Sequence, residues 1–273
     1  MKDVYGNYFI QSLIKNSNQT QIDLIIKYIK KDFVTIALDY SGTHVLQTLL
    51  DMIKTPEEEI ILLNSIKGNE LKMAFDINAT HVLQKMISII NEIRRNQINI
   101  IILDNIKILT LDVNGICLVK KFIANNILNP IKNKIIQIIS KNCIEISQSP
   151  FGNYAVQYIL EFWGINQCCS IVNIIISNIC ILATQKFSSN VSEKIIEYLD
   201  EKNLYLLIHE LFYTNKVMSI LKNKYGRYVL QKAIKALNKN QRDELSFYLN
   251  NLNITNNKDR NKLKNFIAGF EKN

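Results

Sequence analysis

The residues with most chemistry to offer recur in one pattern. Gln11, Gln47, Gln84, Gln157 and Gln231 each follow a flat ring by three residues: Tyr8, His44, His81, Tyr154 and Tyr228. Each also follows a third residue by four: Asn7, Thr43, Thr80, Asn153 and Arg227. Two further places carry variants, Ser189, Asn190 and Glu193 in one, Ile116, Cys117 and Lys120 in the other. A primary amide donates and accepts at once, a carboxylate only accepts, and a ring offers a face for stacking. This is chemistry for holding planar, hydrogen-bonding ligands rather than for breaking bonds.

The spacing requires a helix. At about 100° per residue, Thr43, Gln47 and His44 fall on one polar arc, while Val45, Leu46, Leu49 and Leu50 fall on the opposite, apolar arc. For one helix, a merely solvated face is the simplest account. Solvated faces drift towards Lys and Glu, however, and do not keep a ring beside Gln in five places of seven.

The helices belong to a repeat. YGNYFIQSLI, SGTHVLQTLL, NATHVLQKMI, NGICLVKKFI, FGNYAVQYIL, FSSNVSEKII and YGRYVLQKAI align without gaps. Their third residues are spaced by 36, 37, 36, 37, 36 and 38 residues. Seven units of one length predict an all-α fold, an α-solenoid of about seven three-helix repeats in which each unit packs on its neighbours. In the second unit DFVTIAL reads as a short helix, DYSG as a turn and THVLQTLLDMI as the motif helix. A third helix opens at Pro56, and Pro130 opens the corresponding helix of the fourth unit. The motif helices are expected at 5–14, 41–50, 78–87, 114–123, 151–160, 187–196 and 225–234. Residues 1–273 then form a single repeat domain, closed by a charged cap at about 239–273. Gly6, Gly42, Gly115, Gly152 and Gly226 share one register with Ala79 and Ser188. A turn or tight helix start is the first reading of this small residue, and clearance for an approaching ligand the second. Periodicity leaves the hand of the superhelix open.

Composition sets the surroundings. The chain has 273 residues, a formal charge of +9 and 48% hydrophobic residues. A basic balance suits a polyanionic partner. The five cysteines form no metal-binding spacing, so reduced thiols in a cytosolic or nuclear compartment, with the cytoplasm favoured, and no metal or other cofactor are expected. The pair Cys168–Cys169 reads as buried packing. Apolar runs such as IVNIIISNICILA are interrupted by Asn and Ser and are too short to span a bilayer. No nucleophile–base pair and no phosphate-binding Gly loop is present, so an enzyme is not expected. A ring and an amide repeated at constant spacing suit single-stranded nucleic acid, with bases stacked on rings and base edges held by short polar groups.

At these residues the sequence resembles the Pumilio (PUF) family of RNA-binding repeat proteins, over roughly residues 1 to 250. FGNYAVQYILE, KFSSNVSEKII and KYGRYVLQKAI look like the last three of the family's eight repeats, in order. The resemblance implies a right-handed crescent with RNA on the concave face and the RNA 5′ end at the C-terminal repeat. It further implies a monomer that binds mRNA 3′ untranslated regions and acts on translation and mRNA stability, with protein co-regulators on the convex face. The Ser189/Glu193 variant is the family's guanine reader, whose carboxylate accepts N1–H and N2–H. From the C-terminal unit backwards the expected site is an uncertain first base, with U favoured, at Arg227/Gln231, then G, then U at Asn153/Gln157. Ile116/Lys120 is unselective, with Lys120 touching phosphate or a base acceptor. Thr80/Gln84 and Thr43/Gln47 take weakly specified bases, with A favoured, and Asn7/Gln11 takes U.

Three departures accompany the resemblance. The first unit lacks its opening helix, and the family's first repeat and N-terminal cap are missing, which suggests a fragment or a misplaced start. Ile116 cannot hydrogen-bond a base edge. Arg227 stands where the family usually has Asn. Two other functions compete: a ribosome-assembly relative, which would have degenerate triplets, and a protein-binding α-solenoid of HEAT or armadillo type, which would have no ring-and-amide ladder.

Overall fold

The computed structural model describes residues 1–125 and 129–271. They divide into two compact units, Met1–Ile138 and Ile139–Asn273. Among the described residues all regular structure is helical. The first unit contains α1 (Gly6–Lys15), α2 (Gln19–Ile29), α3 (Phe33–Ala37), α4 (Tyr40–Leu50), α5 (Pro56–Ile66), α6 (Glu70–Phe75), α7 (Ala79–Ile89), α8 (Asn96–Asp104), α9 (Ile106–Thr110), α10 (Gly115–Ala124) and most of α11 (Asn129–Lys141). The second contains α12 (Cys143–Gln148), α13 (Gly152–Trp163), a 3₁₀ turn at Ile165–Gln167, α14 (Cys169–Ser177), α15 (Ile179–Leu182), α16 (Ser188–Ile196), α17 (Glu201–Phe212), α18 (Val217–Lys222), α19 (Gly226–Ala236), α20 (Lys239–Asn250) and α21 (Asn257–Glu271).

The order short, motif, long recurs as the sequence period requires. Motif helices pack side by side, α1 on α4, α4 on α7 and α7 on α10 in the first unit, α13 on α16 and α16 on α19 in the second. Their apolar arc is the seam. Val45 and Leu49, Val82 and Met86, Leu118 and Phe122, Ala155 and Ile159, Val191 and Ile195, and Val229 and Ala233 are all fully buried. Burying one Val or Leu side chain stabilises by about 1.5–3 kcal/mol, so this register holds each stack together. In the first repeat the same positions, Phe9 and Leu13, are exposed.

Six of the seven motif helices start on a device that the periodicity did not announce. Asp39 Oδ1 accepts from the N–H groups of Ser41 and Gly42, at 3.0 and 2.8 Å, which satisfies donors that a helix start leaves free. Asp3, Asp76, Asp112, Ser149 and Asn223 do the same in their units. In the second repeat the helix therefore already begins at Tyr40, so DYSG is mostly helix rather than a turn. A second device ties neighbours. The Nδ2 of Asn78 donates to Leu38 O at 3.1 Å, that of Asn114 to Phe75 O at 2.8 Å, and that of Asn223 to Thr184 O at 3.0 Å. Each bond anchors the start of a motif helix to the end of the short helix of the previous repeat, which ties adjacent repeats together.

The small residue in the repeat serves a tight helix start and not a left-handed turn. None of the five glycines has positive φ. A Cβ on Gly42 would meet Ile36 O at 2.3 Å, on Gly115 Leu109 O at 2.5 Å, on Gly152 Ile146 O at 2.5 Å and on Gly226 Ile220 O at 2.6 Å. The glycine lets the motif helix close onto the carbonyl six residues back. Ser188 solves the same contact differently: its buried Oγ donates to Leu182 O, also six residues back, at 2.7 Å.

The third helices begin as expected where Thr55, Pro56 and Glu58 form a capping box with proline in the first turn, and α11 has Pro130 as its second residue. Arg95 is buried after α7. It donates to Ile87 O at the end of α7 and to Asn125 O after α10, the latter at 2.9 Å. A cation suits these helix ends, although burial pulls its pKa below the ordinary arginine value. Of the expected cap at 239–273, α20 and α21 bury Leu245, Leu249, Leu263 and Ile267 on one side, and residues 272 and 273 lie outside the described residues.

Candidate nucleic-acid interface

The triplets divide by depth. The ring position is exposed on every motif helix: Tyr8, His44, His81 and Cys117 in the first unit, and Tyr154, Asn190 and Tyr228 in the second. The amide position is half-buried at Gln11, Gln47, Gln84, Gln157, Glu193 and Gln231, and exposed at Lys120. The triplet's first residue is buried at six of seven places, with Asn7, Thr43, Thr80, Ile116, Asn153 and Ser189 between 1 and 6% exposed. Only Arg227 is exposed, with its guanidinium 5.2 Å from the centre of the Tyr228 ring.

This corrects the expectation that all three residues look outward together. The first residue is turned back into the helix start. Asn153 Nδ2 donates to Ser149 O at 2.9 Å and to Pro150 O at 3.0 Å. Carbonyls only accept, so this fixes which end of the amide is nitrogen and leaves Oδ1 pointing along the helix. Gln157 Nε2 donates to that oxygen at 2.9 Å. Asn7 and Gln11 repeat the arrangement at 3.0 Å. Gln47 reaches Thr43 Oγ1 at 3.3 Å and Gln84 reaches Thr80 Oγ1 at 3.4 Å. In four repeats the buried residue thus orients the glutamine that faces solvent. A helix wheel cannot show this, because the partners of the buried group are backbone carbonyls of the preceding turn.

The repeats also differ in ways that the residue types did not reveal. Gln11 is held at both ends, since Thr48 Oγ1 donates to its Oε1 at 3.2 Å. Thr43 Oγ1 donates to Asn78 O of the next repeat at 2.9 Å. His44 meets Tyr40 edge to face at 5.8 Å. On α10, Ile116 is buried and brings no polar atom, leaving exposed Cys117 and Lys120 as the outward groups. Ser189 Oγ donates to Lys186 O at 3.2 Å, inward like the asparagines. Burial pushes the Glu193 carboxyl above the usual glutamate value, with Lys232 opposing this and Glu197 adding to it.

Sequence reasoning missed a charged row on the same helices. Lys85 pairs with Asp51 between α7 and the end of α4, and Lys232 on α19 pairs with Glu197, directly after α16, at 2.6 Å. Lys194 lies 3.2 Å from Glu197 and 3.9 Å from Glu161 on α13. The residue after each glutamine position, often Lys, carried the signal. The five cysteines are free thiols. Cys168 is buried as expected, whereas Cys169 is exposed, because α14 turns it outward at its first residue.

Comparison with known proteins follows this geometry. The profile of the Pumilio-family RNA binding repeat (PUF) matches residues 1–30, 32–66, 71–98, 142–176, 178–212 and 216–246. The chain belongs to the Pumilio family. The stretch between the third and fourth matches contains α10 with Ile116, Cys117 and Lys120, the triplet furthest from the pattern. A Pumilio domain-containing protein of Schizosaccharomyces pombe is 28% identical over 90% of this chain and 36% of its own length. Pumilio homolog 12 of Arabidopsis thaliana is 28% identical over 86% of this chain and 40% of its own. The chain thus spans well under half the length of these Pumilio relatives. Among solved structures, a Puf4 double mutant bound to the Cox17 RNA 3′ UTR recognition sequence superposes with a TM-score of 0.85. The two are 26% identical over 98% of this chain and 92% of that one. The Puf4 RNA binding domain bound to the HO endonuclease RNA 3′ UTR recognition sequence gives 0.81 at 26% identity, over 98% and 80%. The fold is the Pumilio α-solenoid, and the family is one of RNA-binding repeats rather than enzymes.

Proposed function

We propose that this chain binds single-stranded RNA and selects its sequence through the exposed rings and oriented amides of its motif helices. The observation that carries the reading is the locked pair, seen in Asn153–Gln157 and Asn7–Gln11, beside an exposed ring. A solvated face has no reason to bury an asparagine so that it holds a glutamine in one orientation. Preorganised amides and stacking faces are what unstacked bases require. In the second unit the proposed order, from the RNA 5′ end, is U at Gln231, G at Glu193 and U at Gln157. The Arg227 repeat is the least determined, because its long cation replaces a locked amide pair.

The RNA class we assign is messenger RNA, in 3′ untranslated regions, with an effect on translation and mRNA stability in the cytoplasm. The support is the chain's likeness to Puf4, whose complexes hold 3′ UTR recognition sequences. The full site runs U-G-U, any base, A, A, U, and the chain acts as a monomer with room for protein co-regulators. Selection from a random RNA pool with the purified chain tests this directly. Enrichment of a U-G-U core is the expected result. A pool without any enriched motif would overturn sequence-selective binding and favour a scaffold.

A further inference from the structure

We infer that the ion pair between Lys232 and Glu197 governs guanine selection by Glu193, making both of them positioning residues for that repeat. The inference rests on the guanine reading of Glu193. Glu193 on α16 and Glu197, directly after the helix and still with helical backbone, lie four residues apart on one face, where like charges repel. Glu197 is bracketed by two lysines, with Lys232 Nζ at 2.6 Å from one carboxylate oxygen and Lys194 Nζ at 3.2 Å from the other. Lys194 in turn faces Glu161 at 3.9 Å. Acid–lysine contacts of this register also join α4 to α7 through Asp51 and Lys85. There the reader four residues before the acid is Gln47, which carries no charge to be set. Only on α16 does the row adjoin a carboxylate at the reading position.

The helices packed on α16 bring these ionisable groups: Tyr154, Tyr158 and Glu161 from α13, Arg227, Tyr228, Lys232 and Lys235 from α19, Cys180 from α15, and Cys143 and Glu145 from α12. α16 itself adds Lys194, with Glu197 directly after it. The charges that act on Glu193 are those of Lys232, which favours its anion, and Glu197, which disfavours it. Both act against a background of burial that already holds the carboxyl above its usual value. Guanine offers two donors, and a carboxylate accepts both whereas the protonated acid gives up an acceptor. Guanine preference is therefore present above the Glu193 pKa and is lost as pH falls through it. Lys232 extends this range downward and Glu197 curtails it.

The test measures binding to two RNAs that differ only by G or U at the α16 position, from about pH 4 to 8, a range that brackets glutamate titration. The variants are Glu193→Gln, Lys232→Gln, Lys232→Arg and Glu197→Gln. The Glu193 carboxyl is followed in parallel by carbon NMR. Lys232→Gln should raise the pH midpoint of guanine preference, on the order of half a unit because the pair is partly exposed. Glu197→Gln should lower it, by removing a repulsion and releasing Lys232. Lys232→Arg should keep the wild-type midpoint. The NMR midpoints should move in the same directions. Loss of folding would affect both RNAs alike and cannot produce opposite shifts. If wild type prefers guanine and Glu193→Gln abolishes the preference, yet neither Lys232→Gln nor Glu197→Gln moves the midpoint, the inference is overturned and the guanine reading stands. If wild type shows no guanine preference at any pH, both fall.

Discussion

Gln157 donates through Nε2 to Oδ1 of Asn153 at 2.9 Å, and Asn153 is itself held by two backbone carbonyls of the preceding turn. The residue that faces the ligand is therefore aimed by one that solvent barely reaches. Specificity in this repeat depends on a buried hydrogen-bond chain as much as on the exposed amide.

Asn153→Ala is expected to weaken the uracil preference opposite Gln157 although Asn153 need not touch RNA. The freed amide can rotate, and uracil and guanine should bind more equally. Stability should fall by about 0.5–1.5 kcal/mol for the lost hydrogen bonding. Fluorescence anisotropy with matched RNAs and a thermal melt measure the two effects separately.

Tyr154→Ala should do the converse. Tyr154 is 56% exposed, so the fold loses little. Loss of a stacking face should weaken binding to every RNA by about 1–3 kcal/mol without changing the preferred base. Unchanged affinity would mean that Tyr154 is a surface tyrosine without a stacking role.

Ser189→Asn combined with Glu193→Gln should convert the guanine site to a uracil site. The structure changes the reason for needing both. The carbonyls of Gln185 and Lys186 stand where those of Ser149 and Pro150 hold Asn153. An asparagine at 189 would turn inward and orient the glutamine at 193, rather than reach the base itself. Discrimination should swing by about 1–3 kcal/mol, taking base-edge contacts in DNA as a guide. Glu193→Gln alone should lose guanine preference without gaining a sharp uracil preference. Competition between RNAs differing at that base checks both variants.

Gly152→Ala should destabilise the second unit by about 1–3 kcal/mol, because a Cβ would press on Ile146 O at 2.5 Å in a packed interior. Ser188→Ala should cost about 1–3 kcal/mol for a different reason, leaving Leu182 O without the donor it now has at 2.7 Å. Denaturant titration followed by circular dichroism reads both.

The sequence by itself determined the number and order of the repeats, the apolar seam of each motif helix and the register of its polar triplet. Period and helical angle are local properties, and Val45, Leu49, Thr43 and Gln47 display them without any partner. The family, too, was legible in the motifs, and the match over six repeats bears it out. The direction in which each triplet residue points was decided only by tertiary structure. Thr43 and Asn153 have polar side chains on the polar arc, yet they are buried because the starts of their helices are held down by Asp39 and Ser149 and by the short helix that packs against each. Gly42 and Ser188 fitted a turn or a tight helix start equally, and only the contact of each with the carbonyl six residues back decides for the helix start. The charge environment of Glu193 is likewise tertiary, because Lys232 lies 39 positions away in sequence and meets α16 only when α19 packs beside it.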